Sequence, residues 1–149
     1  EQAKSECYMW LGEVFDNTAL NELAHARVVV RTFLRIIGTT LDNLKDSLAG
    51  ETNEYENLYK EFQETAEREG FTQIAKFYKE LREVEESHAR AFKDFIDKLE
   101  DGTMFEGPVE SKWYCMNCGY IYEGAEAPQK CPLCGYPKSY FKPYCKIEN

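Results

Sequence analysis

Residues 74–99 read IAKFYKELREVEESHARAFKDFIDKL, and this stretch decides the fold of the first two thirds of the chain. Its apolar residues recur every three or four positions, which predicts one long amphipathic helix. Carried through the middle of the stretch, the same spacing falls on Glu85 and His88. An acid and an imidazole are therefore predicted on the face that the helix buries. Because a buried unpaired carboxylate is costly, we expect a positive group beside them.

The Glu-x-x-His motif occurs twice, and the two copies contain both histidines of the chain. Residues 11–27 match residues 74–90 at a constant offset of 63, which aligns Glu22 and His25 with the pair above. Positions three apart share a helix face, so each pair can direct a carboxylate and an imidazole to one point. Four-helix bundles that hold two iron or two manganese ions use this arrangement. The predicted fold class is an all-α four-helix bundle made of duplicated hairpins.

The third predicted helix offers another carboxylate. It begins near Thr39 or Thr40, either of which can cap it, and Gly70 ends it before the fourth helix. Its apolar stripe includes Glu51, and Glu54 lies one turn further along. From spacing alone, Glu54 suits a metal ligand and a solvated helix residue equally well.

The first helix is the least complete of the four. Glu1 with Tyr8 parallels Glu51 with Tyr59, and Glu6 is the alternative carboxylate. The first copy of the hairpin is 13 residues shorter than the second.

No turn residues separate the first two helices, since residues 8–11 read as continuous apolar helix. Either the first hairpin is truncated, or a stretch between about Trp10 and Leu11 is absent from the chain. We favour the second interpretation because a reversal between two helices needs a turn.

The composition changes near residue 101. All five prolines follow it, among Gly, Cys and Tyr. We predict a helical bundle over residues 1–101, a linker over 102–110 and a small metal-binding domain over 111–149.

Two Cys-x-x-Cys-Gly knuckles in the last segment can close four thiolates around one ion, and a structural zinc ribbon uses the same ligands. The four candidate ligands are Cys115, Cys118, Cys131 and Cys134. Cys7 and Cys145 stand alone and are interpreted as ordinary thiols.

Charge and hydropathy narrow the possible functions. The net charge of −9 argues against a nucleic-acid or anionic-membrane partner. No apolar run approaches the roughly 20 residues of a membrane span. The chain shows no export signal, and its Cys-x-x-Cys spacing favours metal binding, so we predict a reducing, cytoplasmic location.

Three motifs together resemble the rubrerythrin family, and the resemblance covers essentially the whole chain. They are Gly50-Glu51-Thr52-Asn53-Glu54-Tyr55, Glu85-Glu86-Ser87-His88-Ala89 and Glu126-Ala127-Pro128-Gln129-Lys130-Cys131-Pro132. The resemblance implies a ferritin-like di-iron bundle joined to a rubredoxin-like domain with one iron on four cysteines. It also implies reduction of hydrogen peroxide to water, as a defence against oxidative stress in anaerobic or microaerophilic cells.

The resemblance also assigns roles to individual residues. Glu1, Glu22, Glu51 and Glu85 are implied as the carboxylates around the two irons, and His88 as a terminal ligand. His25 and Glu54 resemble a pair between which one iron moves as the centre changes redox state. Tyr8 and Tyr59 resemble tyrosines that lie next to the ligands, and the four knuckle cysteines match the rubredoxin ligands.

The resemblance also implies an electron donor and an assembly, and two other functions remain as alternatives. The implied electron donor is a rubredoxin or an NAD(P)H-dependent reductase, and the implied assembly is a head-to-tail homodimer. A ferritin-type protein that oxidises or stores iron is one alternative, against which the electron-carrying tail argues. A non-enzymatic zinc-ribbon binding protein is the other, and it leaves the repeated buried acids unexplained.

Overall fold

The computed structural model describes residues 1–144, which fall into two compact units that divide between Asn43 and Leu44. The helices are α1 (Gln2–Ser5), α2 (Met9–Val28), α3 (Thr40–Asn53), α4 (Tyr59–Glu69) and α5 (Thr72–Glu100). One π-helical turn, Val29–Leu34, extends α2, and another, Glu54–Leu58, joins α3 to α4. The strands are β1 (Lys112–Cys115), β2 (Ile121–Glu123) and β3 (Phe141–Pro143). The predicted fold class, a helical region followed by a small cysteine-knuckle domain, is confirmed.

The predicted start of the third helix near Thr39 or Thr40, and its predicted end at Gly70, are confirmed by the capping geometry. The Thr39 hydroxyl accepts a hydrogen bond from the Asp42 N–H at 3.2 Å, and the Asp42 carboxylate accepts one from the Thr39 N–H at 2.9 Å. This reciprocal pair satisfies donors at the start of α3. Gly70 takes the left-handed conformation, with φ +82°, and the Phe71 N–H donates to the Ala66 carbonyl at 2.8 Å. The chain can therefore reverse directly from α4 into α5.

Helices α4 and α5 pack as a hairpin whose interior is built from small residues. Ala66, Ala75, Ala89 and Ile96 are buried there, and Glu85 is the one buried charged residue of the described chain. Several larger residues of the predicted stripe, such as Phe77, stay exposed.

The first unit contains a turn that the sequence analysis did not place. Cys7 adopts φ +67° and reverses the chain between α1 and α2. Helix α2 then runs without a break through Trp10 and Leu11, and the Gly12 N–H donates to the Tyr8 carbonyl at 3.0 Å. The reversal between the first two helices is made at Cys7, ahead of the junction, and the expected absence of a stretch between Trp10 and Leu11 stays a prediction.

Helix α2 is exposed around most of its circumference. Its motif residues, Glu22 and His25, have side chains that are 71% and 72% accessible, although the sequence pattern places them on a buried face. Within the first unit the other α-helix before α3 is α1, which has four residues. A helix of that length cannot cover the 20 residues of α2.

The cysteine module is a three-stranded antiparallel sheet in the order β2-β1-β3. Its core cluster is Trp113, Cys115, Ala127, Cys131 and Phe141. The predicted linker partly belongs to this module, because the Ala127 N–H donates to the Phe105 carbonyl at 2.9 Å. The division of the chain at residues 101 and 111 stays a prediction.

Cys145 lies outside the described residues. Among the described residues no helix is long and apolar enough to cross a bilayer.

Candidate metal centres

Three of the predicted ligands converge in the α-helical hairpin. Helix α3 contributes Glu51, and α5 contributes Glu85 and His88; one ligand atom from each lies within 4.8 Å of the other two. The His88 Nδ1 atom is 2.7 Å from Glu85 Oε2 and 3.5 Å from Glu51 Oε2. These residues come together because Glu85 and His88 are one turn apart on α5, and the hairpin brings α3 beside that turn.

The electrostatics of this cluster favour a cation. Burial raises the pKa of Glu51, and the neighbouring Glu85 carboxylate raises it further, while His88 opposes the shift. Glu51 Oε2 is buried without a hydrogen-bond partner, since His88 Nδ1, at 3.5 Å, lies beyond the usual hydrogen-bond distance. A buried carboxylate oxygen without a partner is unfavourable unless a positive group satisfies it. Oxygen and imidazole donors suit iron, so the three residues fit part of a di-iron centre.

The Glu54–Leu58 π turn places two further predicted residues near this cluster. The Tyr59 N–H donates to the carbonyl of Glu54, five residues earlier, as a π turn requires. Burial raises the pKa of Tyr59, and the negative charges of Glu54 and Glu85 raise it further. Single π turns inside helices are frequent at functional sites. Glu54 is therefore engaged with Tyr59 and is not a free surface residue.

The predicted ligands of the first unit form a separate group. His25 Nδ1 lies 3.2 Å from Glu22 Oε2, so the Glu-x-x-His contact is present in this copy of the motif as well. Glu1 is exposed at the start of α1, and its side chain makes no capping hydrogen bond. Glu6 accepts a hydrogen bond from Gln2, and Tyr8 is exposed just before α2.

The four knuckle cysteines form the second candidate centre. Cys115 Sγ lies 3.8 Å from Cys134 Sγ, and Cys118 Sγ lies 3.6 Å from Cys131 Sγ. A tetrahedron of sulfurs about 2.3 Å from a central ion has edges of about 3.8 Å, which matches these separations. Gly119 and Gly135, with φ +80° and +74°, follow the second cysteine of each knuckle and make the turns possible.

The knuckle backbone prepares these sulfurs for a cation. Hydrogen bonds from the backbone of Tyr136 and the side chain of Asn117 lower the pKa of Cys134 to about 6. A backbone hydrogen bond from Tyr120 lowers the pKa of Cys118, but burial and the neighbouring thiols outweigh it and raise the pKa overall. The Cys134 thiol therefore ionises more readily than the Cys118 thiol. The four residues fit a rubredoxin-type iron site.

Two features of the hairpin were not predicted. The first is the π turn itself, because hydrophobic periodicity does not reveal a single inserted residue. The second is an aromatic cluster in which Tyr78 lies 5.8 Å from Tyr59 and 5.2 Å from Phe62, between ring centroids. The positions of Tyr78 and Phe62 in their apolar stripes were visible in the sequence, but their contact with Tyr59 was not.

Comparison with family models and known proteins agrees with these two centres. Residues 42–118 match the model of the family described as Rubrerythrin. Residues 113–142 match the model described as Rubrerythrin, rubredoxin-like domain. The two matches include the Glu51, Glu85 and His88 cluster and all four knuckle cysteines.

Individual relatives span most of the chain. Rubrerythrin of Porphyromonas gingivalis is 39% identical over 154 residues, covering 95% of this chain and 76% of the relative. Rubrerythrin of Nitratidesulfovibrio vulgaris is 35% identical, covering 95% of this chain and 80% of the relative. A solved structure of nigerythrin in a partially reduced state aligns with a TM-score of 0.42 at 25% identity, covering 95% of this chain and 74% of that one.

Proposed function

This chain belongs to the rubrerythrin family, and from that premise we propose that it is a peroxidase that reduces hydrogen peroxide to water at a di-iron centre. The observation that carries the proposal is the cluster of Glu51, Glu85 and His88, whose ligand atoms lie within 4.8 Å of one another. The buried Glu51 oxygen without a hydrogen-bond partner supports a resident cation. Two irons held there would supply together the two electrons that one peroxide molecule requires.

The complete centre would recruit the second copy of the motif. We propose Glu1, Glu22, Glu51 and Glu85 as the carboxylates around the irons, with His88 as a terminal ligand. His25 and Glu54 would be alternative ligands of one iron in its two redox states. The internal contact between Glu22 and His25, at 3.2 Å, supports this assignment, because it reproduces the arrangement of Glu85 and His88.

The proposed tyrosines would act on the carboxylates. Tyr59 holds a proton at its hydroxyl at neutral pH, as an ordinary tyrosine does, and would donate it to the Glu54 carboxylate. A hydrogen bond of this kind fixes the direction of a ligand carboxylate and tunes its basicity. Tyr8 would take the equivalent position in the first copy.

The cysteine module would deliver electrons one at a time. Four thiolates around one iron leave no open coordination position, so this site suits electron transfer and does not suit peroxide binding. A rubredoxin or an NAD(P)H-dependent reductase would reduce it. We propose a reducing cytoplasm as the location, because the Cys-x-x-Cys spacing favours metal binding over disulfides.

A homodimer would place the thiolate iron of one subunit near the di-iron centre of the other. Exposed large apolar residues in both units support an assembly of more than one chain, because monomeric proteins rarely expose extended apolar surface. Among them are Trp10, Phe15 and Phe33 in the first unit and Phe71 and Phe77 in the second.

Visible spectroscopy of the purified chain tests the proposal. We expect ferric–thiolate bands that a reductant bleaches and hydrogen peroxide restores, with loss of peroxide in proportion. Glu85→Ala should abolish peroxide turnover and leave the thiolate bands intact. Glu83→Ala, an exposed change two residues away on α5, is the matched control and should retain turnover. Turnover retained by E85A, or a colourless protein that contains only zinc, would contradict the proposal.

A further inference from the structure

Arg82 joins α5 to the π turn by a two-pronged contact. Its Nε–H donates to the backbone carbonyl of Tyr55 at 2.8 Å, and its Nη1 donates to Gln63 Oε1 at 3.0 Å. The side chain is half-buried between the helices. It therefore bridges residues that are 27 and 19 positions away in the sequence.

Arg82 contacts the carbonyl whose hydrogen bonding differs between a π turn and an α-helical turn. In an α-helix the Tyr59 N–H would donate to the carbonyl of Tyr55, four residues earlier. In this chain the Tyr59 N–H donates to the carbonyl of Glu54 instead. The guanidinium thus occupies the acceptor that Tyr59 would take if the segment were α-helical, which favours the π turn over the α-helical alternative.

The π turn in turn controls two side chains of the proposed metal centre. Residues five apart are separated by about 140° around an α-helix, which has 3.6 residues per turn. A π turn closes a hydrogen bond between residues five apart and brings them to the same side. The π turn therefore places Glu54 and Tyr59 on the same side, where the Glu54 charge raises the pKa of Tyr59. Relaxation to an α-helical turn would separate them.

The position of Arg82 on α5 connects this turn with the ligand cluster. Arg82 precedes Glu85 by three residues, so the two lie one turn apart on the same helix. The contact therefore fixes the π turn at the level of the α5 turn that carries Glu85. A planar guanidinium with two donors in fixed geometry sets both position and orientation, which a lysine ammonium cannot do.

We propose that Arg82 is a positioning residue of the metal centre, which holds the Glu54–Leu58 π turn in register with Glu85 so that Glu54 and Tyr59 face the metal. The proposal rests on the proposed function only in taking the Glu51, Glu85 and His88 cluster as a metal site. Arg82 touches neither the metal nor peroxide in this role, and it acts through the backbone of Tyr55.

Cobalt(II) binding to the 149-residue chain tests this inference without measuring peroxide turnover. Cobalt on carboxylates and imidazole gives weak visible bands, whereas cobalt on four thiolates gives intense near-ultraviolet bands, so each centre can be titrated separately. We expect Arg82→Lys and Arg82→Gln both to weaken cobalt binding at the Glu/His centre about tenfold. Both should also speed hydrogen exchange at the Tyr59 amide and leave the thiolate bands unchanged.

Two control variants separate positioning from charge and from general destabilisation. Arg68→Gln removes an exposed arginine of α4 that donates to the Thr65 hydroxyl at 2.9 Å, and it should bind cobalt normally. Ile96→Val removes a buried methyl group of α5 remote from Arg82, and it should lower the melting temperature without changing cobalt affinity.

Four results would overturn the inference. Normal cobalt affinity in R82K with weak affinity in R82Q would show that charge alone matters. Equal weakening in I96V would show a merely structural effect. Unchanged hydrogen exchange at Tyr59, or no cobalt bands from the Glu/His centre in the unaltered chain, would remove its basis. Failure of the peroxidase proposal would appear in the Glu85→Ala turnover assay, which is independent of these readouts.

Discussion

The Nδ1 atom of His88 lies 2.7 Å from Oε2 of Glu85, one helical turn earlier on the same face of α5. The Glu85 side chain is almost fully buried, whereas His88 is half exposed. The imidazole therefore lies on the solvent side of the Glu85 carboxylate. Together with Glu51, these two residues give the chain three preformed ligands of a metal centre.

Glu51→Gln should stabilise the metal-free chain. Burial and the Glu85 carboxylate raise the pKa of Glu51, so the charged form is unfavourable in the folded state. A neutral amide of the same shape removes that penalty, and we expect the free energy of unfolding at pH 7 to rise by about 1 kcal/mol. Chemical denaturation in the presence of a chelator measures it. Glu61→Gln, on the exposed side of α4, should change stability little.

The pH dependence of this effect has a definite sign. A carboxyl group whose pKa is raised by folding contributes stability below the ordinary glutamate pKa of about 4.3 and loses it as the pH rises through the raised value. The advantage of E51Q over the unaltered chain should therefore be absent at low pH and grow towards neutrality. An advantage that is constant with pH would contradict the assignment of the effect to ionisation of Glu51.

Tyr59→Phe should slow peroxide turnover about tenfold while the iron content stays normal. The change removes the hydroxyl whose pKa the Glu54 charge raises, and it leaves the ring contacts with Tyr78 in place. Tyr55→Phe is the matched control, because the Tyr55 hydroxyl contacts Glu56 on the exposed side of the same turn. Steady-state measurement of peroxide turnover in both variants tests this prediction. Equal turnover rates in the two variants would argue against a role for Tyr59.

Removal of the metal from the cysteine module should unfold that module alone. Its strands have three or four residues and its core cluster has five buried residues, which is too little to fold without a central ion. Trp113 is 2% exposed, and its indole N–H donates to the Gly124 carbonyl at 2.9 Å. Its fluorescence should shift to longer wavelength when the metal is removed, while helical circular dichroism is retained.

The second tryptophan must be removed for this measurement. Trp10 is 81% exposed and would obscure the signal, so Trp10→Phe provides the background for the experiment. An emission maximum that does not move on removal of the metal would show that the module folds without it.

Substitution by alanine should change the stability of the chain in opposite directions at Gly70 and Gly50. Gly70 has φ +82° and open space around its Cβ position, so Gly70→Ala adds backbone strain without a clash and should destabilise the hairpin by about 1 kcal/mol. Gly50 lies inside α3, also in open space, and Gly50→Ala should stabilise the chain by about 0.5–1 kcal/mol. Denaturant unfolding of the two variants tests the contrast, and shifts of the same sign would contradict it.

The sequence predicted most of the second unit because its signals are local. The spacing along α5 placed Glu85 on the buried face, and Thr39 and Gly70 marked the helix ends as the structure has them. The paired Cys-x-x-Cys-Gly knuckles predicted the four-sulfur cluster that the structure contains. These features depend on bond geometry and residue spacing within a few turns, so distant parts of the chain hardly affect them.

The first unit was predicted less well because burial is not a local property. Periodicity correctly places Glu22 and His25 on one face of α2, but their burial requires another element against that face, and α1 is too short to provide it. The turn at Cys7 was missed as well, since a cysteine with positive φ gives no sequence signal comparable to glycine.

The sequence by itself determined which residues are able to bind metal: two Glu-x-x-His pairs, the Glu51 and Glu54 carboxylates and four cysteines. Only the tertiary structure decided how they are held. The π turn that brings Glu54 to the side of Tyr59 is contacted by Arg82, which lies 27 residues after Tyr55 in the sequence. The exposure of α2 depends on which other elements pack against it. The physical reason is that helical periodicity fixes the direction of a side chain, whereas its partners, its burial and its charge state depend on segments far away in the sequence.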